Sequence, residues 1–353
     1  MSGARRTARL RWAEGRSQPF PPSAHPASVA AKAALLRRLE LDVTIRLDGM
    51  LSGDHLAYAP GPGTERAGAR PYEPGDDARR IDWSLTARAL TTHVRTTEAD
   101  RELETWVVVD RSASLDFGTA QREKREVVLA AVAAFGFLSV RGGNRLGVIV
   151  AGGERLTRLP ARTGRLAVLA ALSAIYDTPR RETGPAPGAD LTAALIQLER
   201  TQSRRGQVVV VSDFLDTADW AASLQRLAMR HQLIAAQVSD RREFDLPPVG
   251  MLSVVDAETG QHLHIQTNTP ALRERYAAAA AARQERIRRA MGQAGAAHLQ
   301  LSTDRDWLVD VVRFVGRRRS ERLATRTPGR SALAVPPVRT LVPNGPARQG
   351  GLA

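Results

Sequence analysis

The sequence predicts an α/β fold: a doubly wound, mostly parallel sheet with helices on both faces, preceded by an irregular N-terminal extension and flanked by basic tails. Three observations predict it. From residue 104 onward, short valine-rich runs alternate with helical patterns, the signature of strands joined by crossover helices. The runs Trp106-Val107-Val108-Val109 and Val208-Val209-Val210-Val211 are apolar without alternation, as strands must be when helices cover both faces of the sheet. Each run ends on a carboxylate, Asp110 directly after the first and Asp213 two residues after the second, at the strand edge where doubly wound sheets bind ligands.

Residues 1–26 are rich in Arg, Pro and Ser and are expected to be a disordered basic tail. Residues 27–103 form the N-terminal extension. It opens on a helix over Ala27–Leu41 with Ser28 as a cap. Pro60-Gly61-Pro62-Gly63 then breaks the pattern, and a weak strand follows near Thr91–Thr96. The main domain is expected over 104–316. It begins with a strand at Thr105–Asp110 and a helix at Gln121–Val140, stopped by Gly142-Gly143. A strand at Arg145–Val150 pairs with Arg155–Leu159 across a glycine turn. A helix capped by Thr163 runs to Ile175, and after a loop a helix capped by Asp190 runs to Arg200. Then come a strand at Gln207–Ser212, a helix at Thr217–His231 and a strand at Leu233–Val238. A hairpin joins Met251–Val255 to His262–Gln266. A long Ala- and Arg-rich helix covers Ala271–Met291, a last strand Ala297–Leu301 and a last helix Asp304–Val315. Residues 317–353 are expected to be a second disordered basic tail.

The net charge of +14 over 353 residues invites a nucleic-acid reading, but its placement argues otherwise. Residues 1–38 and 317–353 each hold eight basic residues against one acidic residue, so the segment between them is neutral. Arginine tails can bind nucleic acid or an anionic membrane surface, and a solvated tail is the simpler reading. The chain has no cysteine, which excludes disulfides and thiolate-held zinc. Only Lys32 and Lys124 are lysines, and neither follows a glycine-rich loop, so a Walker-type phosphate loop is excluded. The longest apolar stretch, Val127–Val140, is shorter than the ~20 residues a membrane span needs. With no apolar signal core at the N-terminus, a cytoplasmic protein is expected, and peripheral membrane association stays open.

Asp110, Ser112 and Ser114 place three oxygen-bearing side chains on a tight turn at the end of a buried strand. An oxygen-only cluster suits a hard cation such as magnesium. Asp213, delivered by a neighbouring strand, would add a second carboxylate whose repulsion of Asp110 a cation would relieve. Each aspartate could instead simply cap the turn that follows it. The Asp-x-Ser-x-Ser string, the strand order and Asp213 resemble the von Willebrand factor A fold and its metal-ion-dependent adhesion site. The resemblance implies Asp110, Ser112 and Ser114 as first-loop metal ligands, Asp213 as the later acidic ligand, and Mg2+ as the ion. It also implies a threonine before the helix beginning at Asp190-Leu191, where this chain has Ala189. That departure removes one oxygen, for which Thr192 or Asp190 would have to compensate, and lowers the expected metal affinity.

A second motif runs from Gly68 to Arg88 and includes Arg70, Tyr72, Asp76, Asp77, Arg79, Asp82, Trp83 and Arg88. Pro74-Gly75 suits a tight turn, Asp76 or Asp77 can cap a short helix, and Trp83 offers a large apolar face with one donor. Arg70, Arg79 and Arg88 can pair with the three aspartates. The motif reads either as a staple holding the extension to the main domain or as a partner-binding patch. Together with Phe117-Gly118, Gly143-Asn144-Arg145-Leu146-Gly147 and Ser212-Asp213-Phe214, it resembles the bacterial domain of unknown function 58 family. That resemblance implies a protein partner, a MoxR-type AAA+ ATPase, and a chaperone-like joint role.

The seven histidines are scattered, no Gly-x-Ser-x-Gly elbow appears, and no acid–base pair with contrasting surroundings is legible. The expected function is therefore non-enzymatic: an interaction or adaptor module that captures a partner carboxylate at an open coordination position of the cation. Nucleic-acid or membrane binding through the tails is one alternative. A metal-dependent hydrolase is another.

Overall fold

The computed structural model describes residues 10–12, 29–52, 69–73, 76–89, 91–95, 103–120, 122–152, 156–179, 190–216, 219–256 and 261–326. In chain order these form β1 (Leu10–Trp12), α1 (Val29–Ser52), β2 (Ala69–Pro71), α2 (Trp83–Ala89), β3 (His93–Arg95), β4 (Glu104–Asp110), α3 (Lys124–Arg141), β5 (Arg145–Ala151) and β6 (Thr157–Arg162). They continue with α4 (Arg165–Asp177), α5 (Leu191–Thr201), β7 (Gln207–Ser212), α6 (Trp220–Ala228), β8 (Gln232–Ser239), β9 (Met251–Asp256), β10 (His262–Gln266), α7 (Pro270–Gln293), β11 (Ala297–Ser302) and α8 (Trp307–Arg326).

The main sheet has six strands in the order β11-β8-β7-β4-β5-β6. Every pair is parallel except β5 with β6. The chain winds outward from its first sheet strand, β4, then crosses back to β7 and winds the other way. It is the mixed α/β, mostly parallel architecture that the valine runs imply, with one antiparallel edge strand. The topological switch lies between β4 and β7, where parallel sheets of this kind open a crevice beyond their C-terminal ends.

Burial explains why the strands read as unbroken apolar runs. Val107 and Val109 face one core layer with α1, α3, α4 and α8, whereas Trp106, Val108, Val208 and Val210 face a second layer with α5, α6 and α7. Helix α3 is apolar nearly all round because α1, α4, α8 and the sheet enclose it. Gly147 on β5 lies under the Trp106 ring, where a Cβ would stand 2.7 Å from the indole, so this position admits no side chain.

Several boundaries shift from expectation for local reasons. Thr163 is not a cap: α4 starts at Arg165 after Gly164, whose φ of +82° suits glycine alone. Asp219 caps α6 by accepting the Ala222 N–H, so the helix begins three residues later than its apolar pattern suggests. Helix α1 runs to Ser52, and its Leu36 and Val43 belong to the main core, which ties this part of the extension to the main domain. Helix α8 continues to Arg326, ten residues into the expected C-terminal tail, and Leu10–Trp12 of the expected N-terminal tail pairs with β9. The remaining residues of both expected tails lie outside the described residues. Among the described residues, no helix is long and apolar enough to cross a membrane.

Candidate functional site

Strand register brings the two acidic strand ends together. β4 and β7 are in parallel register with Val109 beside Val211, so Asp110 emerges beside Ser212 at the switch-point rim. The Ser212 hydroxyl donates to Asp110 Oδ2 at 2.6 Å, and the Ser112 N–H donates to Oδ1 at 2.8 Å. The Ser112 and Ser114 hydroxyls bond each other at 3.0 Å. Burial, and then the Asp213 charge, push the Asp110 carboxyl up to about 6, against the pull of its hydrogen bonds from Ser212 and Ser112. Asp110, Ser112, Ser114 and Asp213 thus share one rim, as the sequence predicts.

The backbone beyond β7 is strained there. Ser212 Oγ also accepts the Phe214 N–H at 2.9 Å, and Phe214 sits at φ 54°, a left-handed conformation uncommon for a bulky residue. Its ring packs against Trp220 with the centroids 5.1 Å apart. Strain of this kind collects at functional sites.

A residue outside the predicted set completes the cluster. Lys124, the first residue of α3, is wholly buried, and its Nζ donates to Asp213 Oδ2 at 2.9 Å and to Glu243. Burial opposes the charge on Lys124, but Asp213 and Glu243 outweigh it and raise its pKa, so the ammonium stays charged. Burial likewise pushes the Glu243 carboxyl up, against the pull of Lys124. The Lys124 N–H donates to the Phe117 carbonyl at 2.8 Å. Gly118 lets the loop fold back this closely, since a Cβ there would meet the Arg122 carbonyl oxygen at 2.5 Å.

Beside this cluster, Asp240 is fully buried and ties three segments together. It accepts from the Thr119 hydroxyl and N–H, from the Thr303 hydroxyl at 2.6 Å and from the Arg242 N–H at 2.9 Å. Buried Asp116 pairs with Arg111 at 3.7 Å and with Arg125 at 3.6 Å. Sequence reasoning missed Lys124, Glu243 and Asp240. The available signal was composition: a chain with 51 basic residues that keeps lysine at only two positions places one of them here.

The donor set can be tested against a divalent ion. Asp110, Ser112 and Ser114 form the expected oxygen cluster. Asp213, however, gives one oxygen to the Lys124 ammonium and the other to the Leu215 N–H at 3.1 Å. A metal bound to Asp213 would have to share that carboxylate with a buried positive charge. The four residues as a set do not fit a magnesium ion. Asp190, considered as a replacement oxygen, caps α5 by accepting the Ala193 N–H. Ala189 lies outside the described residues. Among the described residues, no group of three or more His, Cys, Asp or Glu side chains is arranged to hold a metal.

The second motif is held by local caps. Asp77 accepts the Arg79 N–H at 3.0 Å, and Asp76 accepts the Glu73 N–H at 3.0 Å. Asp82, mostly buried, accepts the Ser84 and Leu85 N–H groups at the start of α2. Arg70 lies on β2 opposite Val94. Arg79 and Arg88 are exposed, and the Arg88 Nε donates to the Ser84 carbonyl. Tyr72 is 38% exposed and Trp83 69%, so the tryptophan presents its face to solvent instead of packing it.

The Asp110 carboxyl gives the fold a pH dependence. Because its pKa is raised, the folded state holds a proton that the unfolded chain has lost between about pH 3.8 and 6. Stability therefore falls as pH rises through that window, and the cost is complete above it. Asp110→Asn is expected to stabilise the protein above pH 6 by about 2–3 kcal/mol, since each pH unit separating the folded and unfolded pKa values is equivalent to about 1.4 kcal/mol. The gain should vanish in acid below the window. Thermal unfolding of both proteins across pH checks it, and a pH-independent difference would contradict it.

Comparison with known proteins identifies the family. Residues 68–286 match the family described as "Protein of unknown function DUF58". The chain is 50% identical over 292 residues to the uncharacterized protein Rv1480 of Mycobacterium tuberculosis, covering 83% of this chain and 91% of that one. It is 42% identical over 171 residues to the uncharacterized protein MAV169 of Mycobacterium avium, covering 48% of this chain and 99% of that one. Distant likenesses among solved structures include the conserved hypothetical protein BatB of Bacteroides thetaiotaomicron, 13% identical with a TM-score of 0.37 over 62% of this chain and 99% of that one. Another is the SpRpn10 VWA domain, 14% identical with a TM-score of 0.33 over 60% of this chain and 93% of that one. The doubly wound fold itself rests on the strand order above. The family match spans more than half of the sequence, and the chain belongs to the DUF58 family.

Proposed function

We propose that this protein is a non-enzymatic interaction module that docks a protein partner at the switch-point rim, and that the partner is a MoxR-type AAA+ ATPase served in a chaperone-like role. One observation carries the docking site: Asp110 is held in a buried, strained polar cluster at the sheet edge beneath a half-exposed Ser112. Ligand sites of doubly wound sheets lie at this edge, and strained or pKa-shifted groups cluster at functional sites. The half-exposed residues Ser112, Gly118, Leu215 and Asp216 frame the cluster. Direct contact with the partner fits this rim better than a bridging magnesium, because Asp213 is already paired with Lys124. The identity of the ATPase follows from the family resemblance alone. A cytoplasmic location, with any membrane association made through the partner, belongs to the same proposal.

The test is capture of a MoxR-type ATPase from the same cell by the full chain and by Ser112→Tyr, which crowds the rim from its exposed side. Capture should fall at least tenfold for the variant while its thermal unfolding stays within a few degrees of wild type. If Ser112→Tyr captures normally, the rim is not the docking site. If removal of residues 1–9 and 327–353 abolishes capture and binding falls steeply with salt, the arginine tails are the interface. The truncations spare β1, which begins at Leu10 and pairs with β9, and α8, which reaches Arg326.

A further inference from the structure

We propose that the Lys124 ammonium is the resident cation of the switch-point rim and supplies internally the charge that a metal-ion-dependent adhesion site takes from a divalent ion. On this view the charge balance of the rim is complete without metal. The inference concerns the rim alone and stands whether or not a partner docks there.

Four features converge on it. The ammonium lies between two carboxylates from different elements, Asp213 after β7 and Glu243 after β8, and the Lys124 side chain is 0% exposed. It is fixed from its own backbone by the Phe117 carbonyl and lies 5.9 Å from the centre of the Phe117 ring. Glu243 is itself oriented by a capping box with Asp240, whose N–H donates to Glu243 Oε2 at 3.3 Å. The residue type also fits. A compact ammonium with three freely disposed donors can lie between two buried carboxylates, whereas a planar guanidinium needs matched fork geometry and more room. In a chain that uses arginine for all but two of its basic residues, the lysine here suits that geometric demand.

The chemistry is mutually exclusive. A divalent ion ligated by Asp213 would compete with Lys124 for the same carboxylate and would stand close to a like charge in a site shielded from water, where repulsion is strong. The lysine and the metal are alternative solutions to one problem, the repulsion among Asp110, Asp213 and Glu243. Removing the lysine should therefore uncover a metal site that the wild type lacks.

The experiment is calorimetric titration with Mn2+ alone of the full-length wild type, of Asp110→Asn, of Lys124→Ala, and of Lys124→Ala combined with Asp110→Asn. The wild type should show no site-specific binding, and its unfolding temperature should be the same in Mg2+ and in chelator. Lys124→Ala should bind one Mn2+, lose that binding when Asp110→Asn is added, and unfold several degrees higher in Mg2+ than in chelator. If Lys124→Ala does not fold, Lys124→Met with Glu243→Gln removes one charge of each sign and should gain the same binding. Wild-type binding of one Mn2+ that Asp110→Asn abolishes would overturn the proposal. So would a folded variant lacking Lys124 that gains none.

Discussion

Replacing Lys124 by alanine is expected to cost about 3–5 kcal/mol of folding stability, the penalty for removing one member of a buried ion pair and leaving the other charge behind. The magnitude follows from what remains. Asp213 and Glu243 would both lose the ammonium between them, and Asp213, whose side chain is 1% exposed, cannot turn to bulk water, while that of Glu243 is only 14% exposed. Asp110, already destabilised by the Asp213 charge, would feel that charge without its counter-ion. Against a typical total of about 5–15 kcal/mol, such a loss brings the fold near its limit. Denaturant unfolding at neutral pH measures it. Lys124→Met with Glu243→Gln should recover part of the loss, because that pair removes charges of both signs. A Lys124→Ala variant within about 1 kcal/mol of wild type, the scale of an exposed ion pair, would show that the ammonium does not hold the rim together.

Asp240→Ala is expected to be comparably damaging, at about 3–4 kcal/mol. Four donors would lose a charged acceptor, each such bond contributing about 1.5–3 kcal/mol without simple additivity. The Thr303 hydroxyl would be left in the interior, where Thr303 is 2% exposed. Asp240 also sets a pH dependence of the opposite sign to that of Asp110. Burial works against its charge, but the Thr119 and Thr303 hydroxyls and the N–H groups of Thr119 and Arg242 hold its pKa below the usual carboxylate value. Its contribution is therefore fully present above the unfolded pKa of about 3.8 and is lost as pH falls through the lower folded value. Asp240→Asn should flatten the acid limb of the stability profile. An unchanged acid limb in that variant would rule Asp240 out as its source.

The contrast between these aspartates shows what the sequence could and could not convey. Asp110 and Asp213 were legible because each follows a run of valines, and parallel neighbours deliver their ends to one edge. The four central strands of the sheet were legible for the same reason, since strands buried on both faces read as continuous apolar runs. Lys124 and Glu243 were not legible. They lie 119 positions apart and meet only because α3 and the turn after β8 converge above the β4 and β7 ends. Asp240 looked like any aspartate before an Arg-Arg pair, and its role depends on Thr119 and Thr303, which no local pattern connects to it. In the second motif Asp77 caps the short turn that follows it, as its spacing suggested, whereas the capping of α2 by Asp82 and the solvent-facing position of Trp83 were not readable from an acidic string. Thr163 shows the reverse error: a sound capping residue passed over because Gly164 takes a backbone conformation that threonine disfavours.

The charge balance of the rim is tested most directly by anomalous diffraction from crystals of the wild-type protein soaked in Mn2+, alongside crystals of Lys124→Ala. If the lysine is the resident cation, wild-type maps will show no manganese peak at the Asp110–Ser112–Ser114 turn, and Lys124 will still bridge Asp213 and Glu243. The variant will show a peak there. A manganese ion in the wild type at about 2.1–2.2 Å from Asp110 and the serine hydroxyls, near the distances hard cations adopt with oxygen ligands, would contradict the account.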